Sequence, residues 1–312
     1  MKEKVNQHYV PQFYLKNFAN DEKKRSVAGY ALKTKTPICN IAIDETASKK
    51  YYYGDDLRVE NWFAEMEGKW AQIVQNIISR KSFPINKDDY WMLVYFVAIS
   101  SVRVLKYGNV INKMINGVME HGHRFGQVAS PHTVSGHPIS YMDSHLLKNY
   151  DIYEKLKPLL LYNRTNQGFL TSDNPCVMYN QFFVSQNLPF YSIRHGGVQL
   201  FMPISPCFCL CFYDGAAYKA ISSTKGKVVK IAETAKITEL NKLFLRNADM
   251  MVYYKQKTIC DTVINTLIGE HKFYQHEPIV KSLIPIVGIK MESINDSFDI
   301  GLFNVRKSFI KR

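Results

Sequence analysis

Leu57-Arg58-Val59-Glu60-Asn61-Trp62-Phe63-Ala64-Glu65-Met66-Glu67-Gly68-Lys69-Trp70-Ala71-Gln72-Ile73-Val74-Gln75-Asn76-Ile77-Ile78-Ser79-Arg80 is the stretch on which the fold turns. Its apolar residues, Val59, Trp62, Phe63, Met66, Trp70, Ile73, Val74, Ile77 and Ile78, recur three and four apart, the period of one helix face. A helix over 57–80 with a stripe to bury is therefore predicted. Beyond it, Phe83-Pro84 interrupts the chain, and Asn86 or Asp88 caps a second long helix through Trp91, Val94, Phe96 and Ile99 towards Met119, ended or bent at Gly108. Residues 120–140, rich in Gly, His, Ser and Pro from His121 to His137, read as an exposed loop or lid. A further helix is expected around Tyr141 to Lys155.

On either side of these helices the pattern changes to strands. Upstream, a short amphipathic helix from Pro11 to Ala19 precedes a strand-rich stretch, Val27 to Tyr53. Downstream, Leu159–Tyr162 and Gly168–Thr171, separated by Asn163–Gln167, read as a β-hairpin that leaves Asp173 just past a strand end. Strands follow at Val198–Met202 and Cys207–Tyr213, then a turn at Asp214-Gly215, a helix from Ala232 to Asn247 and a strand at Met250–Tyr254. No internal repeat or low-complexity linker divides the chain. The expected architecture is a single α+β domain over residues 1–312, with long central helices on a mostly antiparallel sheet and a C-terminal extension at 271–312.

With 312 residues, 46% hydrophobic and 13% aromatic, the chain can bury a large core, which excludes disorder for most of its length. The formal charge of +13 favours an anionic partner, nucleic acid or nucleotide ahead of a membrane surface. Lys23-Lys24-Arg25, Lys225 with Lys227 and Lys230, and Arg306-Lys307 with Lys311-Arg312 are either solvated surface or phosphate contacts, a choice that salt dependence of binding decides. Met1–Asn6 has no secretory signal character, and Trp91–Leu105 is too short to span a bilayer, so a cytoplasmic protein without a membrane segment is expected. Six cysteines form no CxxC pair. Cys207, Cys209 and Cys211 alternate and share one face of a strand, as small core residues or as soft-metal ligands.

One stretch is distinctive as a string rather than as a pattern: His8-Tyr9-Val10-Pro11-Gln12-Phe13-Tyr14-Leu15-Lys16-Asn17-Phe18. It resembles the N-terminal motif of the bacterial domain-of-unknown-function family 4238, and Thr171-Ser172-Asp173-Asn174-Pro175 is similar to that family's TSDNP turn. Glu60 and Glu67 on a long helix, Arg103 at the end of an apolar helix, Pro203-Ile204-Ser205-Pro206 and Asn241 also fit. The resemblance spans roughly residues 6 to 255, and it implies site candidates without implying a reaction.

Those candidates carry definite chemistry. His8, ahead of a helix start, is either a packing residue or a general base whose neutral form the positive helix end favours. Asp173, with Asn174, is either the acid of a tight turn or a carboxylate that orients His8 or holds a divalent metal ion. Arg103 either pairs with Glu60 or Glu67, one helical face apart by seven, or reaches a ligand phosphate. Glu67 joins Asp173 as a candidate metal ligand, while Tyr9 and Asn241 are candidate substrate contacts. His121, His123, His132 and His137 are either incidental loop residues or a chelating set for zinc, nickel or copper. P-loop, dinucleotide, HExxH, GxSxG and kinase signatures are all absent.

Two functional classes follow. The first is a cytoplasmic hydrolase acting on a phosphodiester or nucleotide, nuclease-like and suited to phage defence, in which His8, Arg103, Asp173 and Asn174 do the chemistry. The alternative is a non-enzymatic nucleic-acid- or ligand-binding module, or an interaction subunit, in which the same residues hold the fold.

Overall fold

The computed structural model describes residues 6–55, 57–83, 86–109, 138–182, 193–220, 227–259, 261–269 and 302–306. The chain opens with strand β1 (Asn6–His8), helix α1 (Gln12–Leu15) running into a 3-10 turn (Lys16–Phe18), and strands β2 (Ser26–Ala31), β3 (Thr36–Ala42) and β4 (Ser48–Lys50). Helices α2 (Leu57–Arg80), α3 (Lys87–Val102) and α4 (Pro138–Lys155) follow, then strands β5 (Leu156–Asn163), β6 (Thr171–Ser172), β7 (Val177–Tyr179), β8 (Gln199–Ser205), β9 (Phe208–Asp214), β10 (Tyr218–Ala220) and β11 (Val228–Ile231). Helix α5 (Thr234–Asn247), strand β12 (Met251–Tyr254), helix α6 (Asp261–Gly269) and strand β13 (Phe303–Val305) complete it. This is the expected α+β architecture.

Helix α2 takes the bounds that its stripe predicts and buries Phe63, Trp70, Ile73, Val74 and Ile77. Asn86 caps α3, its Oδ1 accepting from Asp88 N–H at 2.8 Å. That helix stops at Arg103 rather than at Gly108, whose N–H lies inside the next helical stretch and donates to Val104 O at 3.3 Å. The break frees Arg103 from the helix surface and lets it reach back under α2. Beyond residue 109 the expected continuation towards Met119 and the four histidines 121–137 lie outside the described residues, as do residues 120–137 of the expected lid and all of the 271–312 extension except 302–306.

Two larger sheets carry the rest. One has five strands in the order β11-β5-β9-β8-β7, antiparallel except for β11 against β5, and the other has four, β3-β2-β12-β6, all antiparallel. The period-2 alternation of β9 shows how the five-stranded sheet divides two cores. Phe208, Leu210 and Phe212 join the cluster built on α1, α2 and α3, whereas Cys209, Cys211 and Tyr213 join the cluster of α5, α6 and β12. Cys209 and Cys211 thus share a face as small core residues, and burial pushes both thiols well above their ordinary range, against the thiolate form that a metal needs. Cys207 sits in the β8–β9 turn and is exposed.

The predicted hairpin of 159–162 with 168–171 is corrected. Strand β5 pairs with β9 and β11, and β6 crosses to the other sheet to pair with β12. Asn163 makes the crossing: its Nδ2 donates to Gln167 O at 2.7 Å and its Oδ1 accepts from Thr165 N–H at 2.9 Å, turning the chain away before it can fold back. Strand β13 pairs antiparallel with β10, so the chain returns to the body near its end. Among the described residues no helix is long and apolar enough to cross a membrane.

Candidate functional site

The motif segment is pinned before it can present anything. Gln7, fully buried, donates to Gly54 O at 2.9 Å and accepts from Tyr53 N–H, while β1 pairs with β4 so that His8 faces Ser48 and Asn6 faces Lys50. Pro11 starts the following turn, its carbonyl accepting from the Tyr14 and Leu15 N–H groups. The Tyr14 hydroxyl then donates to Pro203 O and meets Thr171 Oγ1 at 2.6 Å, which ties residues 6–18 to both large sheets.

Arg103 is the hinge-pin of this arrangement and is 1% exposed. Its Nε donates to Tyr53 Oη at 2.9 Å, both terminal nitrogens reach Glu67 Oε1 at 3.0 Å, and Nη2 donates to the His8 carbonyl at 2.6 Å. Tyr53 Oη donates to the same carbonyl at 3.0 Å, and the guanidinium lies 4.0 Å from the centroid of Phe63. The expected pairing of Arg103 with a glutamate of α2 is therefore met by Glu67. Arg103 is enclosed by these partners, so it positions its neighbours instead of meeting a ligand phosphate.

Above it, a cavity of about 400 Å³ opens between the 6–16 segment and α2. One wall is Asn6, His8, Gln12, Phe13 and Lys16, with His8, Gln12 and Lys16 four residues apart along the chain; the other is Glu60, Phe63, Ala64, Glu67, Gly68 and Ala71. Gly68 sits mid-helix where a Cβ would meet nothing within 4 Å, so packing does not demand glycine there. His8 is half-buried, and its pKa is lowered, first by burial and then by the Arg103 charge, although hydrogen bonds with the backbone of Asp44 and Ile43 oppose this. The neutral ring expected from the sequence thus has a different cause from the four-residue helix α1. The Gln12 Nε2 to His8 Nε2 contact at 3.4 Å suits the tautomer with its proton on Nδ1.

Asp173, Asn174, Asn241 and Tyr9 do not line this cavity. Asp173 is 3% exposed and accepts from the N–H groups of Asp249 (2.9 Å), Met250 (2.7 Å) and Met251 (3.1 Å), anchoring the start of β12. Burial pushes its carboxyl up to about 6 against the pull of those donors. Asn174 and Asn247 exchange side-chain to carbonyl bonds at 3.0 and 3.1 Å, and Asn241 bonds Gly168 O and Leu170 N–H. Tyr9 is buried with its ring edge-on to Tyr52 at 5.8 Å. The TSDNP turn is therefore a clasp that fastens β6 to the junction of α5 and β12.

The expected metal ligands Asp173 and Glu67 are not brought to one site: backbone donors occupy both Asp173 oxygens away from the cavity that Glu67 lines. Among the described residues no group of three or more His, Cys, Asp or Glu could hold a metal ion. Sequence reasoning passed over Gln7, Gln12, Lys16 and Tyr53. The spacing of His8, Gln12 and Lys16 was a usable signal for a shared face, whereas nothing in the sequence marked Tyr53 as a partner of Arg103.

These features define an α+β protein with a motif-lined groove, and comparison with known families agrees. Residues 6–258 match the family described as Protein of unknown function (DUF4238), and the chain belongs to it. No curated protein and no solved structure matches the chain.

Proposed function

We propose that the groove is a proton-transfer site and that the chain is a hydrolase of a phosphodiester or nucleotide, with His8 taking the proton from the attacking water. As the new P–O bond forms, the P–O bond to the leaving group breaks and the leaving oxygen takes a proton from solvent. The single observation that carries this is a half-buried imidazole, its pKa lowered by burial, on the wall of a nucleotide-sized cavity, its backbone locked by Arg103. Electrostatics constrain the pose. Glu60 and Glu67 repel a phosphate from the α2 wall, so the phosphate belongs on the side of Gln12 and Lys16. The overall charge of +13 supports an anionic substrate in general terms. Since the donor set does not fit a preformed metal site, no step runs through a metal here.

The test is turnover of a chromogenic phosphodiester, cyclic nucleotides and single-stranded oligonucleotides by the full chain and by His8→Gln, each with and without magnesium. A folded His8→Gln variant should lose roughly a hundredfold or more of the wild-type rate, the usual contribution of a general base. Full activity in that variant, or no turnover by the wild type, defeats the assignment. A role against phage rests on the same chemistry and would be read as loss of plaque restriction in His8→Gln cells.

A second reading, a binding module without catalysis, is favoured by one specific observation: Arg103, Asp173, Asn174 and Asn241 are buried with their polar atoms engaged. In that case wild type and His8→Gln would bind nucleotide and turn over nothing.

A further inference from the structure

The two walls of the groove offer opposite chemistry, and their placement goes beyond the sites considered so far. Arg103 donates both of its glutamate bonds to Glu67 Oε1, which leaves Oε2 of a partly exposed carboxylate as an acceptor on a residue of the cavity wall. Across from it, register supplies a second cation. Asn6 and His8 line the cavity from the same face of β1, and in an antiparallel pair directly opposed residues share that face. Lys50 does not itself line the cavity, but it is opposite Asn6 and exposed, so its side chain leaves β4 on the face that Asn6 turns to the cavity. Phe13, half-buried and packed against Phe96 at 5.5 Å between ring centroids, lends its ring to the cavity wall as a surface on which a base can stack.

Resting on the hydrolase reading of this groove, we infer that it holds a nucleotide with the phosphate clamped by Lys16 and Lys50 and a base bearing an exocyclic amine donating to Glu67 Oε2. A cytosine N4 amine meets a carboxylate oxygen favourably, whereas the uracil O4 in the same place sets two acceptors against each other. The groove therefore selects amino-bearing bases, and Lys50 is a substrate-binding residue. The same chemistry arises from a free nucleotide or from the terminal nucleotide of a strand.

Calorimetric titration with CMP, UMP, cytidine and a short oligonucleotide ending in cytidine 5′-monophosphate tests this without turnover. Wild type should bind CMP at least tenfold more tightly than UMP or cytidine, a ratio within the range of a single polar base contact. Lys50→Ala should weaken CMP severalfold, leave cytidine unchanged and flatten the salt dependence. Gly68→Leu, which fills the cavity from an open helix position, should abolish CMP binding while the protein stays folded. Equal binding of CMP and UMP, CMP binding indifferent to Lys50→Ala and Gly68→Leu, or no CMP binding overturns the inference. Tighter binding of the oligonucleotide than of CMP assigns the source to strand ends, and the reverse to free nucleotides. Turnover lost in His8→Gln together with base-indifferent binding would overturn this inference and leave the hydrolase reading standing. Selective CMP binding without any turnover would do the opposite.

Discussion

Replacing Asp173 by Ala tests whether the TSDNP turn is a clasp. Its carboxylate accepts three backbone N–H groups, from Asp249, Met250 and Met251, at the point where β12 enters the four-stranded sheet. A buried donor left without a partner costs about 1–3 kcal/mol. Three adjacent ones share any water that enters the gap, so the total should be about 3–5 kcal/mol, equivalent to a fall in Tm of roughly 10 °C for a chain of this size. Urea denaturation followed by far-UV circular dichroism gives the first number and a thermal scan the second.

The pH dependence has a definite sign. The folded carboxyl sits at about 6, above its ordinary 3.8, so the protonated group contributes stability fully below pH 3.8 and that contribution is lost as pH rises through 6. The variant's deficit should therefore be larger at pH 4.5 than at pH 7.5, by on the order of 2 kcal/mol across the window. A loss under about 1 kcal/mol with an unchanged pH profile would refute the clasp. If nucleotide turnover disappeared as well, catalytic duty would return to Asp173.

Other substitutions probe the remaining pieces. Arg103→Ala strands a partly buried Glu67 and the His8 carbonyl and should destabilise by about 3–5 kcal/mol, whereas Arg103→Lys should retain part of that loss because one ammonium cannot reach three acceptors; urea midpoints rank the two. Gly68→Ala should stabilise by about 0.5–1 kcal/mol, since mid-helix glycine is unfavourable and the added methyl meets nothing; an unchanged or lowered Tm contradicts the open wall. Because the His8 pKa is lowered from 6.5, kcat/KM should fall only on the acid side of that value. The same shift makes the folded state lose stability relative to His8→Gln as pH drops below 6.5, levelling below the folded pKa, and a matched pair of pH–stability curves reads it.

What the sequence disclosed and what it hid separate along physical lines. Helix α2 was legible to the residue because one face of 24 residues repeats without competing signals. Strands β9 and β12 were legible to within one residue, and β8 at its start, although it runs three residues past Met202 to Ser205. The hairpin was misread because hydrophobic runs on either side of Asn163–Gln167 say nothing about which neighbour each strand takes, and the local bonds of Asn163 to Thr165 and Gln167 suit a hairpin turn as well as a crossing. Site candidates were recovered in kind more than in role. An arginine in an apolar run and a seven-residue glutamate spacing narrowed the partner of Arg103 to Glu60, Glu67 or a ligand, and the structure selects Glu67. Asp173 was placed with His8 because both belong to distinctive strings, yet shared family motifs mark shared folding constraints as readily as shared chemistry.

The geometry around the His8 carbonyl explains why residues so far apart in sequence belong to one pattern. That oxygen accepts from Arg103, at the end of α3, and from Tyr53, after β4, while Arg103 grips Glu67 on α2. Four elements are thereby referred to one atom of the motif strand. The width of the groove is the distance between β1 and α2, and Arg103 spans both, so this buried guanidinium sets the separation of imidazole and carboxylate without touching either the ring or a ligand. Its 1% exposure follows from that task, since a solvated arginine would trade its partners for water and let the walls drift. A buried ion pair is a poor source of stability compared with apolar side chains of equal volume. Its presence here is better accounted for by positioning. Arg103→Met paired with Glu67→Met should therefore recover most of the stability that Arg103→Ala loses, while affinity for nucleotide in the groove stays impaired. Full recovery of both would mean that the ion pair serves packing alone.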